Sequence, residues 1–252
     1  MAKPISVQLY SVREGAGKDF PGTLKRIAQM GYKGVEYAGL HGHPAKEIAK
    51  IVKDLGMVSS SAHAGLATKD NVNQLVDDAK TLGYKYVIGG CGPDDMKTTD
   101  GLKACLDKFL LSCDLLKPHG LIAGMHNHWW EFDHQLDGRR PYDTIMEKVP
   151  NLISELDIYW STKGGADTVK VVKQWAKRIP LLHVKDGDLT EKIVHKAVGE
   201  GKIATRAIIE AADPKVLKWV VVELDACDTD MFQAVEKSCR WLVSNGLAEG
   251  RK

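Results

Sequence analysis

The stretch LIAGMHNH, residues 121–128, decides the fold. It follows Gly120, a residue type suited to ending a helix in the left-handed conformation. It is short, apolar and bounded as a strand would be, and it runs out in two imidazoles. Leu121 and Met125 fall on one face, and Ile122, Gly124, His126 and His128 on the other. A strand whose imidazoles gather at its C-terminal end on one side is one that delivers chemistry to a mouth.

The same pattern repeats on both sides of it. Strands are expected to begin near Ile5 (ISVQLY), Gly34 (GVEYA), Val58 (VSSSAH), Tyr86 (YVIGG), Leu152 (LISELD), Ile179 (IPLLHV) and Val220 (VVVEL), which with Leu121 makes eight. Between them lie runs of helical period: Leu24, Ile27 and Ala28; Ile48, Ile51, Val52 and Leu55; Val72, Leu75, Val76, Ala79 and Leu82; and Leu106, Phe109 and Leu110 on to Leu116. Gly31, Gly56, Gly83 and Gly120 stand just before strands, where helix ends belong. The repeat is about 31 residues, which over a 252-residue chain is the arithmetic of one α/β domain, a single (β/α)8 TIM barrel spanning residues 1–252. The first turn, YSVREGAGKD, lacks the GxGxxG pattern of a doubly wound nucleotide-binding sheet.

Composition removes several function classes. Lys and Arg number 35 against 33 Asp and Glu, a net charge of +2, which offers no basic field for a nucleic acid. No apolar run approaches the ~18 residues of a membrane span, and the N-terminal stretch has no signal-peptide core, so a cytoplasmic location is expected. The five cysteines are scattered without a CxxC pair and read as reduced core thiols, Cys91 in a packing or loop role.

Strand ends then carry the functional argument. They read Glu36, His63, His126 with His128, Asp157, His183 with Lys185, and Glu223 with Asp225. Active sites of such barrels lie at this face. A lone strand-end acid is usually a helix cap and a lone histidine a core residue, but six of eight strands ending this way point to a shared cation, because converging buried charges are costly unless paired or metal-bound. His41, His43, His119, His134 and His195 fall in helix or loop contexts and read as surface residues.

These residues in this order resemble the xylose isomerase-like TIM barrel superfamily of sugar phosphate isomerases and epimerases. The likeness rests on VQLYSVR (Val7 to Arg13), GYKGVEYAG (Gly31 to Gly39), HNHWWEF (His126 to Phe132), LDIYW (Leu156 to Trp160), LLHVKD (Leu181 to Asp186) and VVVELD (Val220 to Asp225), and covers essentially the whole chain. It implies one divalent metal ion, manganese before Mg²⁺, Co²⁺ or Zn²⁺, held by a Glu, Asp, His, Glu set. Asp157, His183 and Glu223 match three of these; Glu131 or His126 supplies the fourth, with Glu131 preferred. The implied activity is isomerisation or epimerisation of a sugar, sugar phosphate or keto-sugar through a metal-stabilised enediolate. Glu131 and Glu223 would move the proton, with His128 as an alternative base. Glu36, His63, His126, Trp160 and Lys185 would bind substrate, and Trp129 and Trp130 would offer platforms for a sugar ring.

A lyase or dehydratase working on a keto-sugar or keto-glycoside through the same intermediate is the main alternative. A repair endonuclease relative with three zinc ions and a non-catalytic sugar-binding barrel stand further off. The expected partner is a small-molecule carbohydrate, with no nucleic acid and no membrane; association into a homo-oligomer is left open.

Overall fold

A computed structural model describes residues 2–192 and 194–251, so the outermost residue at each end of the single-domain reading lies outside it. Eight strands form the barrel: β1 (Lys3–Gln8), β2 (Gly34–Tyr37), β3 (Val58–His63), β4 (Tyr86–Gly89), β5 (Ile122–His126), β6 (Ile153–Asp157), β7 (Leu181–Val184) and β8 (Trp219–Val222). Each pairs in parallel with the next, and β1 closes on β8 with Ile5, Ser6 and Val7 opposite Val220, Val221 and Val222. A short strand at Ala248–Glu249 extends β1 at its start.

The outer layer forms where apolar residues recur at helical spacing. Helices α1 (Arg13–Lys18) and α2 (Phe20–Gln29) follow β1, α3 (Ala45–Asp54) follows β2, α4 (Val72–Leu82) follows β3 and α5 (Thr99–Leu116) follows β4. They bury Phe20, Leu24 and Ile27; Ile48 and Val52; Leu75, Val76, Ala79 and Leu82; and Leu102, Cys105, Phe109 and Leu116. Leu110, expected on the buried face of α5, is 41% exposed, because the apolar run there is wider than the face that packs. Gly83 closes α4 at φ 84°, a conformation in which a side chain would be strained. Side-chain caps start the longer helices: Asp19 accepts from the Gly22 N–H, Thr98 from Gly101 and Asp230 from Gln233.

The second half carries α6 (Pro141–Lys148), α7 (Ile158–Lys163), α8 (Thr168–Trp175), α9 (Thr205–Ala211) and α10 (Met231–Ser244). Between β7 and α9 the chain makes a short ribbon, with Asp186–Gly187 pairing antiparallel to His195–Lys196. Asp186 anchors it: Oδ1 accepts from the Gly187 and Ile203 N–H groups at 2.8 and 3.1 Å, and Oδ2 from Gly199 at 2.9 Å.

Two sequence expectations fail. His195, read as a surface residue, is fully buried, because the ribbon sets its ring against Tyr159 and Trp160. Cys91 and Cys105, read as reduced thiols, are joined in a disulfide with 6.4 Å between their Cα atoms. The loop after β4 meets the inner face of α5 there, a tertiary contact that a spacing of 14 residues does not announce. Cys113, Cys227 and Cys239 are free.

Candidate metal centre

The barrel interior holds two quartets of ligand atoms, one above the other, sharing His183. The outer one comprises His126, Asp157, His183 and Glu223, from the ends of β5, β6, β7 and β8, all buried. Asp157 Oδ2 lies 3.3 Å from His126 Nε2 and 4.0 Å from His183 Nδ1; Glu223 Oε2 lies 3.0 Å from His183 Nδ1 and 3.7 Å from His126 Nε2. The four atoms form a closed N–O–N–O circuit with a cation-sized middle: donors ~2.1 Å from one ion at tetrahedral angles stand about 3.4 Å apart. Two imidazoles and two carboxylates without a thiolate suit a borderline or hard divalent ion.

The inner quartet comprises Glu36, His63, Glu155 and again His183. Its circuit is tighter. His63 Nε2 lies 2.6 Å from Glu155 Oε2 and 3.3 Å from Glu36 Oε1, while His183 Nε2 lies 3.1 Å from Glu155 Oε2 and 2.7 Å from Glu36 Oε1. These are hydrogen-bond distances, so shared protons hold this quartet together. Glu36 is further saturated by the Gln8 side-chain amide at 2.7 Å and by the Ser61 hydroxyl. A register shift between Val35 and Glu36 in the β2–β3 pairing accompanies its placement there.

Burial and charge act oppositely on these groups. Burial pushes the Glu155 carboxyl up to about 8, with the Glu36 charge adding to it. Glu36 resists its own burial and is held well below the carboxylate range by His63 and His183. Burial works against a charge on His183, yet Glu155, Glu36 and Glu223 raise it well above its ordinary value. His126 is driven well below by burial and by the charge of His183, so its ring is neutral and its Nε2 faces the carboxylates of the outer quartet.

Lys185 sits against the outer quartet. Its Nζ is fully buried, 2.6 Å from Glu223 Oε2, 3.2 Å from Asp157 Oδ2 and 2.8 Å from Asp225 Oδ2. Burial disfavours its charge, but the three carboxylates outweigh that and raise it.

Asp157 does two jobs at once. Oδ1 caps α7 by accepting the Trp160 N–H at 2.8 Å while Oδ2 faces the quartet, and Asn127 fixes its backbone by accepting the Asp157 N–H at 2.9 Å.

Glu131, the preferred fifth-strand ligand, belongs to neither quartet. The turn after β5 folds its carboxylate back onto its own loop, where Oε2 accepts the His128 N–H at 2.8 Å, and His126 stands in the fifth-strand place instead. Burial raises the Glu131 carboxyl to about 8. Burial and the Lys185 charge lower His128 to about 4; its ring stacks on Trp130 at 4.0 Å. Glu36 and His63, expected to meet substrate, lie in the inner quartet, with Glu36 fully buried and His63 partly exposed. Trp160 is buried with its ring 5.4 Å from Lys185 Nζ, a wall behind the ammonium and not an open platform; Trp129 and Trp130 are half-buried. Sequence reasoning missed Glu155, although alternation along β6 puts it on the face of Asp157, and it missed His195, whose Nδ1 accepts the Asp225 N–H at 2.9 Å.

The sequence profile described as xylose isomerase-like TIM barrel matches residues 24–245. The chain belongs to that family. Within the xylose isomerase-like TIM barrels, two solved structures of a sugar phosphate isomerase/epimerase from Parabacteroides distasonis resemble it at 24% and 23% identity, with TM-scores of 0.80 and 0.81; they cover 99% and 98% of this chain and 96% and 100% of theirs. An L-ribulose 3-epimerase matches at 16% identity over 98% of this chain and 95% of its own, TM-score 0.73. A probable 3-DHS dehydratase from Bacillus anthracis matches at 14% over 95% and 98%, TM-score 0.76. At these identities the likeness is one of fold. A comparison with curated proteins returned no match. Among the described residues no helix is long and apolar enough to cross a membrane.

Proposed function

We propose that this chain is a divalent-cation-dependent isomerase or epimerase of an unphosphorylated sugar, keto-sugar or sugar phosphate. The observation that carries the reading is the outer quartet: four buried N and O atoms from four successive strand ends, spaced 3.0–4.0 Å around one point at the catalytic face of the barrel.

His126, Asp157, His183 and Glu223 would hold the ion, which when bound supplies Lewis-acid polarisation of a carbonyl and acidifies the neighbouring C–H. Proton movement falls to this chain's own groups. His128, half-buried at the mouth, is one candidate to take the proton, and burial together with the Lys185 charge, which lower it to about 4, make it a weak base that would hold the proton only in passing. Glu223 is kept ionised against its burial by Lys185 and His183, which makes it the second proton-handling group. Glu131 holds the His128 backbone and thereby positions that ring. Trp160 Nε1, Tyr159 Oη and His195 Nε2 are buried without partners among the described residues, donors that a hydroxyl-rich ligand would satisfy. Beside the mouth a cavity of about 620 Å³, lined by Arg13, Asp225 and Phe232 among others, leaves space for a remote part of the substrate.

The test is incubation of the Mn²⁺-loaded protein with a panel of keto-sugars in D₂O. Deuterium is expected at the carbon next to the carbonyl, with no unsaturated product. Absence of exchange across the panel would overturn the reading, and an unsaturated product would replace it with a lyase.

A further inference from the structure

Lys185 contacts the very oxygens that face the centre of the outer quartet. Its Nζ is 2.6 Å from Glu223 Oε2 and 3.2 Å from Asp157 Oδ2, and both oxygens also lie within 4.0 Å of His183 Nδ1. An ammonium and a divalent cation cannot share these oxygens without strong repulsion, since each would lie within a few ångströms of the other in a water-poor interior. The lysine therefore has to go somewhere when a cation enters, and a place is built for it.

Asp225 Oδ2 already touches Nζ at 2.8 Å, and it belongs to neither quartet. Its backbone is pinned on both sides: the N–H donates to His195 Nδ1 at 2.9 Å, and the carbonyl accepts from Arg13 Nη2 at 2.9 Å. Its side chain is about a third exposed, whereas the ligand carboxylates are buried. The Trp160 ring lies 5.4 Å from Nζ, close enough for its face to attract the ammonium. No other charged side chain among the described residues is ion-paired with this ammonium.

We propose that Lys185 is a resident counter-cation for the outer quartet and that Asp225 receives its ammonium, still protonated, when a divalent cation takes Asp157 and Glu223. In the absence of the ion the ammonium offsets one of the two negative charges of the ligand carboxylates, and in its presence the ammonium is offset by Asp225 instead. It rests on the cation reading of the outer quartet given above.

A double-mutant cycle on Mn²⁺ affinity, measured by isothermal titration calorimetry on the full chain, tests it. Lys185→Met removes the competitor and is expected to tighten Mn²⁺ binding about tenfold; Asp225→Asn removes the receiving site and is expected to weaken it about tenfold. In the Lys185→Met background the Asp225→Asn change should cost less than about twofold, because Asp225 acts through the lysine. An equal Asp225→Asn penalty in both backgrounds would mean plain charge effects and overturn the exchange, as would weaker binding in Lys185→Met. Should the Met variant not fold without the ion, Lys185→Gln takes its place in the cycle with the same expected signs. A wild-type chain that binds no divalent cation, or an Asp157→Asn variant that binds as well as wild type, defeats the reading of the quartet itself and the exchange with it.

Discussion

The two quartets are built from the same residue types and share one imidazole, yet they differ in size in a way that separates their roles. Around the outer circuit neighbouring atoms stand 3.0–4.0 Å apart; around the inner one they stand 2.6–3.3 Å apart. The inner spacings are all hydrogen-bond distances, whereas two of the four outer ones, 3.7 and 4.0 Å, are wider. The proposed division into a cation site and a proton-held support thus rests on the space left between donors more than on the donors themselves. His183 joins the two, with Nδ1 facing outward and Nε2 inward, so the inner quartet fixes the tautomer and tilt of an outer ligand.

Four measurements would break or sharpen that contrast. The largest effect belongs to Asp157→Ala, which should weaken Mn²⁺ binding by more than ~100-fold in calorimetry and abolish turnover, since it removes a ligand outright. Glu36→Gln comes next. It weakens the acceptor for His183 Nε2 without touching the outer carboxylates, and a loss of ~10–100-fold in cation affinity is expected. If Glu36→Gln cost as much as Asp157→Ala, the division into cation site and proton-held support would collapse.

Glu131→Gln probes the carboxyl that neither quartet recruits. Because its folded pKa is raised by burial to about 8, the neutral form is favoured in the fold; the stabilising contribution is complete below the unfolded value near 4.5 and is lost as pH rises toward 8. Glu131 should therefore account for a loss on the order of a few kcal/mol between those limits, and thermal unfolding of the Gln variant should fall less steeply with pH than the wild type, keeping the part that Glu155 contributes. The smallest effect is expected from Glu155→Gln, since the native carboxyl is already raised to about 8 and amide resembles acid: cation affinity should move by less than about threefold at pH 7. A collapse of binding there would mean that Glu155 is itself a ligand.

Much of this was legible beforehand. The eight strands fall where alternation and capping glycines put them, because those signals are local, and Asp157, His183 and Glu223 meet because every barrel strand brings its C-terminal end to one face. The rest depends on contacts that the sequence does not announce. A turn with the Phe132 and Asp133 N–H groups on the Trp129 carbonyl keeps Glu131 out of both quartets, and composition says nothing about such a turn. Glu155 stands two residues before the end of its strand, and only the period of two puts it on the face of Asp157. His195 lies in a segment without periodicity, and the ribbon that buries it forms only by tertiary pairing. The Cys91–Cys105 bond likewise depends on where the loop after β4 lands.

The motif at residues 183–186 carries one last implication. Within four residues the chain supplies an imidazole to both quartets, an ammonium to the outer one, and the Asp186 carboxylate that gathers three backbone N–H groups of the excursion from Gly187 to Ile203. The connection between β7 and α9 is thereby moored to the same short segment that supplies the two quartets. A foreign loop grafted at this position is expected to shift His183 and Lys185 along with the connection itself.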